Sequence, residues 1–186
     1  MIVPTQAQID RVTNLLNASI QKLVEKDSNI FNIDFIMPQQ ISEDAAILNR
    51  ELHETTINHR LAYYLERNIE NTELSGHSVD IEYNRFYGNP KQVIIVQELV
   101  TVRPDIIIHG RINAQITPQH FLVVEAKKGL ITDHDINKIK ALISDDHYNY
   151  IFGFTISYCS NDEQVVGQLY YYNGDEIISI ELNVTK

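Results

Sequence analysis

Between Arg103 and Lys128 the chain reads RPDIIIHGRINAQITPQHFLVVEAKK, two apolar runs rich in β-branched residues that each carry an acid at one end. Ile106 to Ile108 and Phe121 to Val124 are too short for helices and are bounded by Pro and Gly, so they predict two buried strands. The polar segment from Gly110 to Gln119 is long enough for the second strand to turn back beside the first. Asp105 then enters the first strand, while Glu125 and Lys127 leave the second. Alternation along a strand sends Glu125 and Lys127 to one face and Ala126 and Lys128 to the other.

Two carboxylates meeting at the edge of an apolar sheet repel each other and are costly to desolvate unless something neutralises them. A hard divalent cation is the simplest solution, because Mg²⁺ accepts oxygen ligands and keeps positions open for water and phosphate oxygens. Lys127 would place a fixed positive charge beside the attacking water or the scissile phosphate. In outline this is a site for phosphodiester hydrolysis.

Pro104-Asp105 followed by Glu125-Ala126-Lys127 resembles the signature of the PD-(D/E)XK nuclease superfamily, the restriction-endonuclease-like fold. The resemblance spans about residues 42–158. It implies an α/β fold with a central mixed sheet flanked by helices, and a Mg²⁺- or Mn²⁺-dependent endonuclease acting on DNA before RNA. It implies that Asp105, Glu125 and the Ala126 carbonyl bind the metal and that Lys127 orients the water. Glu54, beside the apolar stripe of a preceding helix, looks like the helix acid that joins such sites; a solvated helix glutamate is the alternative. Lys138, on the helix after Glu-x-Lys, matches the superfamily's basic residue facing the site.

The remaining chain supplies the surrounding elements. Ile9, Val12, Leu15, Leu16, Ile20, Leu23 and Val24 recur at helical spacing and predict an amphipathic accessory helix within residues 1–30. Residues 29–40 read as a connector. Ser42 can cap a second helix with Glu43 and Asp44 in its first turn, and its later residues His59 and Arg60 are weighed as phosphate contacts against a surface or core-edge role. Val79, Ile81 and Tyr83 alternate with polar residues, predicting a half-buried strand over 78–86; Asp80, Glu82 and Arg85 on it are candidates to border the site. Residues 92–102 are read as a further strand of the central sheet. Thr132-Asp133-His134-Asp135 opens a helix, and the apolar strand over 150–158 completes a β-α-β crossover. Asn173-Gly174 predicts a two-residue hairpin turn within 165–182. Tyr170, Tyr171 and Tyr172 suit packing on a sheet face, with base stacking the alternative. His109 and His120 near the acids offer weak support for zinc, and the lone Cys159 reads as a small core residue.

At 186 residues the chain is expected to be a single domain spanning 1–186, with its core at 42–158 and a C-terminal hairpin at 165–182. No secretory leader or membrane span is read, so a cytoplasmic location is expected. With 15 basic and 25 acidic residues the net charge is −10, which disfavours a protein that coats nucleic acid and points to weak intrinsic DNA affinity or a partner subunit; a homodimer is the expected arrangement for cutting both strands. Two other classes stand beside the nuclease: a catalytically weak or inactive module of the same fold acting through binding, and a phosphohydrolase for small nucleotides.

Overall fold

The computed structural model describes residues 1–27, 30, 43–86, 88–111, 113, 115–159 and 163–186, with backbone alone at 43–53 and 86. The expected connector at 29–40, apart from Ile30, and the Ser42 cap lie outside the described residues. Among the described residues the elements in chain order are α1 (Gln6–Asp27), α2 (Glu43–Ile69), β1 (Ser78–Ile81), β2 (Arg85–Phe86), β3 (Asn89–Pro90), β4 (Gln92–Ile95), β5 (Glu98–Thr101), β6 (Ile106–His109), β7 (His120–Lys127), α3 (Asp133–Ser144), β8 (Phe152–Ser157), β9 (Gln164–Tyr172) and β10 (Ile177–Thr185).

This is an α/β architecture built on a six-stranded mixed sheet in the order β1-β6-β7-β8-β9-β10. Its one parallel pair, β7 with β8, is joined through α3, since strands running the same way need a crossover to bring the chain back. The other neighbours are antiparallel. Alternation assigns the two faces. Ile106, Ile108, Leu122, Val124 and Ala126 pack with α1 and α2 in one apolar cluster, whereas Ile107 and Val123 pack with Ile139, Leu142 and Ile143 of α3 in the other. Helix α3 lies close on β8: a Cβ on Gly153 would stand 2.3 Å from Ile139 Cγ2.

The periodic stripe of α1 is buried as expected, from Val12 to Val24, and Ser19 on that stripe accepts a hydrogen bond from Asn68 Nδ2 of α2 at 2.9 Å. Three expectations about assembly are corrected. Residues 92–102 do not enter the central sheet; they form a separate hairpin, β4 with β5, turning at Val96 and Gln97 with φ of 48° and 69°. The sequence lacks the Asn-Gly chemistry that announces such a turn. Second, the C-terminal hairpin, expected beside a core at 42–158, forms as β9 and β10 but completes the edge of the central sheet, and α1 packs against β10. Third, their connection is four residues, Asn173 to Glu176, in which the Asn173 carboxamide oxygen accepts the amides of Asp175 and Glu176. Tyr170 is buried and Tyr171 packs on Phe152, the packing role expected of them. Among the described residues no helix is long and apolar enough to cross a membrane.

Candidate active site

The ends of β6 and β7 bring the sequence's acids together. The strands pair through Ile106 opposite Val124, and just beyond, the Asp105 amide donates to the Val124 carbonyl at 3.1 Å. The ladder then changes partner: the Ala126 amide donates to Asp105 Oδ2 at 2.8 Å. A carboxylate has replaced a backbone acceptor, fixing Asp105 beside the β7 residue that follows Glu125.

Glu125 is 1% exposed. Its Oε2 accepts from Lys138 Nζ at 2.5 Å, while its Oε1 is buried with no hydrogen-bond partner among the described residues. Burial pushes this carboxyl up to about 7, against the pull of Lys138. Burial also raises Asp105, opposed by the Ala126 amide and by the charge of Lys127. Asp105 and Glu125 feel each other as well: the charge of Asp105 raises Glu125 further. Lys127, half-buried at the end of β7, favours the ionised form of both acids.

Helix α3 holds the counter-charge. Thr132 and Asp135 form a reciprocal capping box, with the Thr132 hydroxyl donating to Asp135 Oδ2 at 2.7 Å. The other oxygen of Asp135 lies 3.4 Å from Lys138 Nζ, one turn along. Burial works to raise Asp135, but the hydrogen bonds from Thr132 prevail and its carboxyl is lowered. The chain Thr132, Asp135, Lys138, Glu125 therefore ties a helix cap to the site. From sequence Asp135 is only part of a helix start, although a Thr-x-x-Asp cap one turn before a basic residue is the signal that marks it.

Helix α2 reaches the same strand end from the opposite side of the sheet. Glu54 Oε2 accepts the Lys128 amide at 3.0 Å, and its charge is felt by Asp105. One turn on, Asn58 accepts from the fully buried Tyr158 hydroxyl at 2.9 Å. Neither Asn58 nor Tyr158 was singled out from sequence; a lone polar residue in an apolar stripe was the available signal.

Three other candidates are not brought to the carboxylates. His59 is exposed on α2. Arg60 forms an ion pair with Asp27 at 3.0 Å and donates to the Tyr64 hydroxyl, so it braces α1 against α2. Arg85 borders a pocket at the far end of the sheet, because β1 stops at Ile81 and the chain turns away through Glu82, whose φ is 49°. His109 and His120 border that far pocket too, and His109 Nε2 lies 2.7 Å from Asp80 Oδ2. Glu82 does stay near the site, its amide donating to the Asp105 carbonyl at 2.9 Å.

The donor set suits a hard cation. Among the described residues no three His, Cys, Asp or Glu side chains form a ready-made metal cluster, but Mg²⁺ is ordinarily held by one or two carboxylates with waters completing the octahedron. The partnerless Oε1 of buried Glu125, next to Asp105, is the acceptor that such an ion would satisfy.

No protein-family model matches the chain, and no match was found among curated proteins.

Proposed function

We propose that the chain is a divalent-metal-dependent nuclease of PD-(D/E)XK type, with a restriction-endonuclease-like core, cutting phosphodiester bonds in DNA in preference to RNA. The observation that carries the reading is the buried, unpartnered Oε1 of Glu125 beside Asp105. A carboxylate oxygen left without a donor in the interior is costly, and its retention calls for a ligand that supplies positive charge.

Asp105 and Glu125 would hold Mg²⁺ or Mn²⁺, with Glu54 and the Ala126 peptide at the same strand exit, and the ion would supply Lewis acidity and a more acidic bound water. Lys127 orients the attacking water and offsets charge developing on the phosphate. Lys138 holds Glu125 in place, and Asp135 holds Lys138. The net charge of −10 leaves little general attraction for a polyanion, so affinity rests on the local cleft, on a second copy or on a partner subunit. A cytoplasmic setting accords with the reading.

One observation favours the alternative of a catalytically weak binding module. Lys138 Nζ sits 2.5 Å from Glu125 and competes with any cation for it. Purified protein incubated with circular plasmid, linear duplex, single strand and RNA, in Mg²⁺, Mn²⁺ or chelator, separates the two. Metal-dependent cleavage lost in Glu125→Ala and Lys127→Ala supports the nuclease; cleavage persisting in both variants refutes the site. Metal binding without cleavage of any substrate favours the module.

A further inference from the structure

At the other end of the same strands, about 13 Å away at the usual rise per residue, lies a pocket of about 370 Å³ that the nuclease reading does not use. Its floor contains Lys91, which is 1% exposed. Lys91 Nζ donates to the Tyr150 hydroxyl at 2.9 Å and lies 5.3 Å, 6.0 Å and 5.4 Å from the ring centres of Tyr83, Tyr148 and Tyr150. An ammonium ion boxed by three rings is partly compensated by their π faces, yet a buried cation ordinarily has an anion beside it.

Among the described residues no carboxylate forms an ion pair with Lys91. Asp80 is the acid whose charge reaches it, and both Asp80 oxygens are committed: Oδ1 to Arg111, and Oδ2 to Arg111 Nε at 2.8 Å and to His109. The pocket wall adds Arg85, His109 and His120, against one acid, the exposed Asp146. In a chain of net charge −10, this is a concentration of nitrogen donors around a cation that lacks its counterion.

We infer that this pocket binds a small phosphate monoester, its phosphate taking the position of the absent counterion of Lys91 and its organic body lying against Tyr83 and Tyr148. A tetrahedral oxyanion accepts donors from several directions, which suits Lys91 and Arg85 approaching from floor and rim. The volume exceeds what free phosphate fills and falls in the range of small-molecule sites. Burial lowers Lys91 to about 8, so the amine is mainly charged at neutral pH.

The test is calorimetric titration at pH 7 in chelator, which keeps cations away from the carboxylates, using AMP, inorganic phosphate and adenosine as probes. The expected result is saturable AMP binding, weaker binding of phosphate, and none of adenosine. Lys91→Met keeps the apolar stem and removes the charge, and Arg85→Ala alters only an exposed side chain, so one variant remains informative if the other misfolds. Each lowers AMP affinity, Lys91→Met on the order of tenfold or more, as expected for losing a charged hydrogen bond. Absence of AMP binding, binding of adenosine as tight as AMP, phosphate bound with AMP excluded, or affinity unchanged in the folded variants would each overturn the assignment.

Discussion

Replacing Glu125 by Gln removes a buried acid while keeping its shape, and the structure fixes both the sign and the pH window of the result. Burial raises the folded-state carboxyl from 4.5 to about 7. Between those values the folded protein binds a proton that the unfolded chain does not, so stability falls as pH rises, and the cost is fully present above about 7. At about 1.4 kcal/mol for each tenfold, that cost is roughly 3 kcal/mol. Lys138 stays charged throughout the window, because its attraction to Glu125 raises it despite burial. In the variant it loses that partner but keeps Asp135 at 3.4 Å and can still donate to the Gln carboxamide oxygen, so part of the gain is lost. The expected net stabilisation is about 2 kcal/mol at pH 8, or about 4–8 °C in Tm for a chain of this size, shrinking towards zero at pH 4.5. His120, lowered to about 4, titrates in wild type and variant alike and cancels, so the difference between the two curves reports Glu125 together with its electrostatic coupling to Asp105. Circular-dichroism melts of both proteins from pH 4.5 to 8.5 without metal measure it. A difference that does not grow with pH, or a variant less stable at pH 8 than at pH 5 relative to wild type, refutes the buried-carboxylate argument.

Gly153→Ala places a methyl 2.3 Å from Ile139 Cγ2, so α3 must back away from β8; a loss of about 1–3 kcal/mol in urea unfolding is expected from such overpacking, and a neutral effect would contradict the close approach. Thr132→Ala removes the capping box at a cost of about 1 kcal/mol, and by loosening Asp135 it should move the Glu125 titration, read by carboxylate NMR, while a surface substitution such as Arg67→Ala does not. Val96→Asn with Gln97→Gly supplies residues suited to the positive φ at both turn positions and should stabilise the protein by about 1–2 kcal/mol in the same urea assay; destabilisation would show that the turn is held by something other than its backbone.

What the sequence disclosed and what it hid divide along one physical line, that between local pattern and return path. Asp105, Glu125 and Lys127 were legible because strand alternation and short apolar runs are local, and the register Ile106 with Val124 needed only that the two runs pair. Lys138 and the Thr132 cap were legible for the same reason, the cap opening α3 and Lys138 lying less than two turns into it. Arg85 was misplaced because a residue's distance from an acid along the chain says nothing about which end of a strand the chain returns to, whereas Arg60 takes the core-edge role weighed for it, bracing α1 against α2. The turn at Val96 and Gln97 takes residues 92–102 out of the sheet with no Gly or Asn to mark it, and that hairpin brings Lys91 to the far end, where the backbone amide of Gln92 is held by the Tyr148 hydroxyl at 2.8 Å. A buried lysine among tyrosines has no sequence signature, since each residue alone looks like ordinary surface or core. The two polar centres therefore differ in how they are specified. The Asp105 and Glu125 pair is encoded in one continuous stretch, through the pairing of β6 with β7. The Lys91 pocket is assembled from separated segments that include Ile2, Lys91, His120 and Tyr148, so it depends on the β4–β5 hairpin and on the α3–β8 connection holding their places. Changes in those loops should disturb the pocket while leaving Asp105 and Glu125 together.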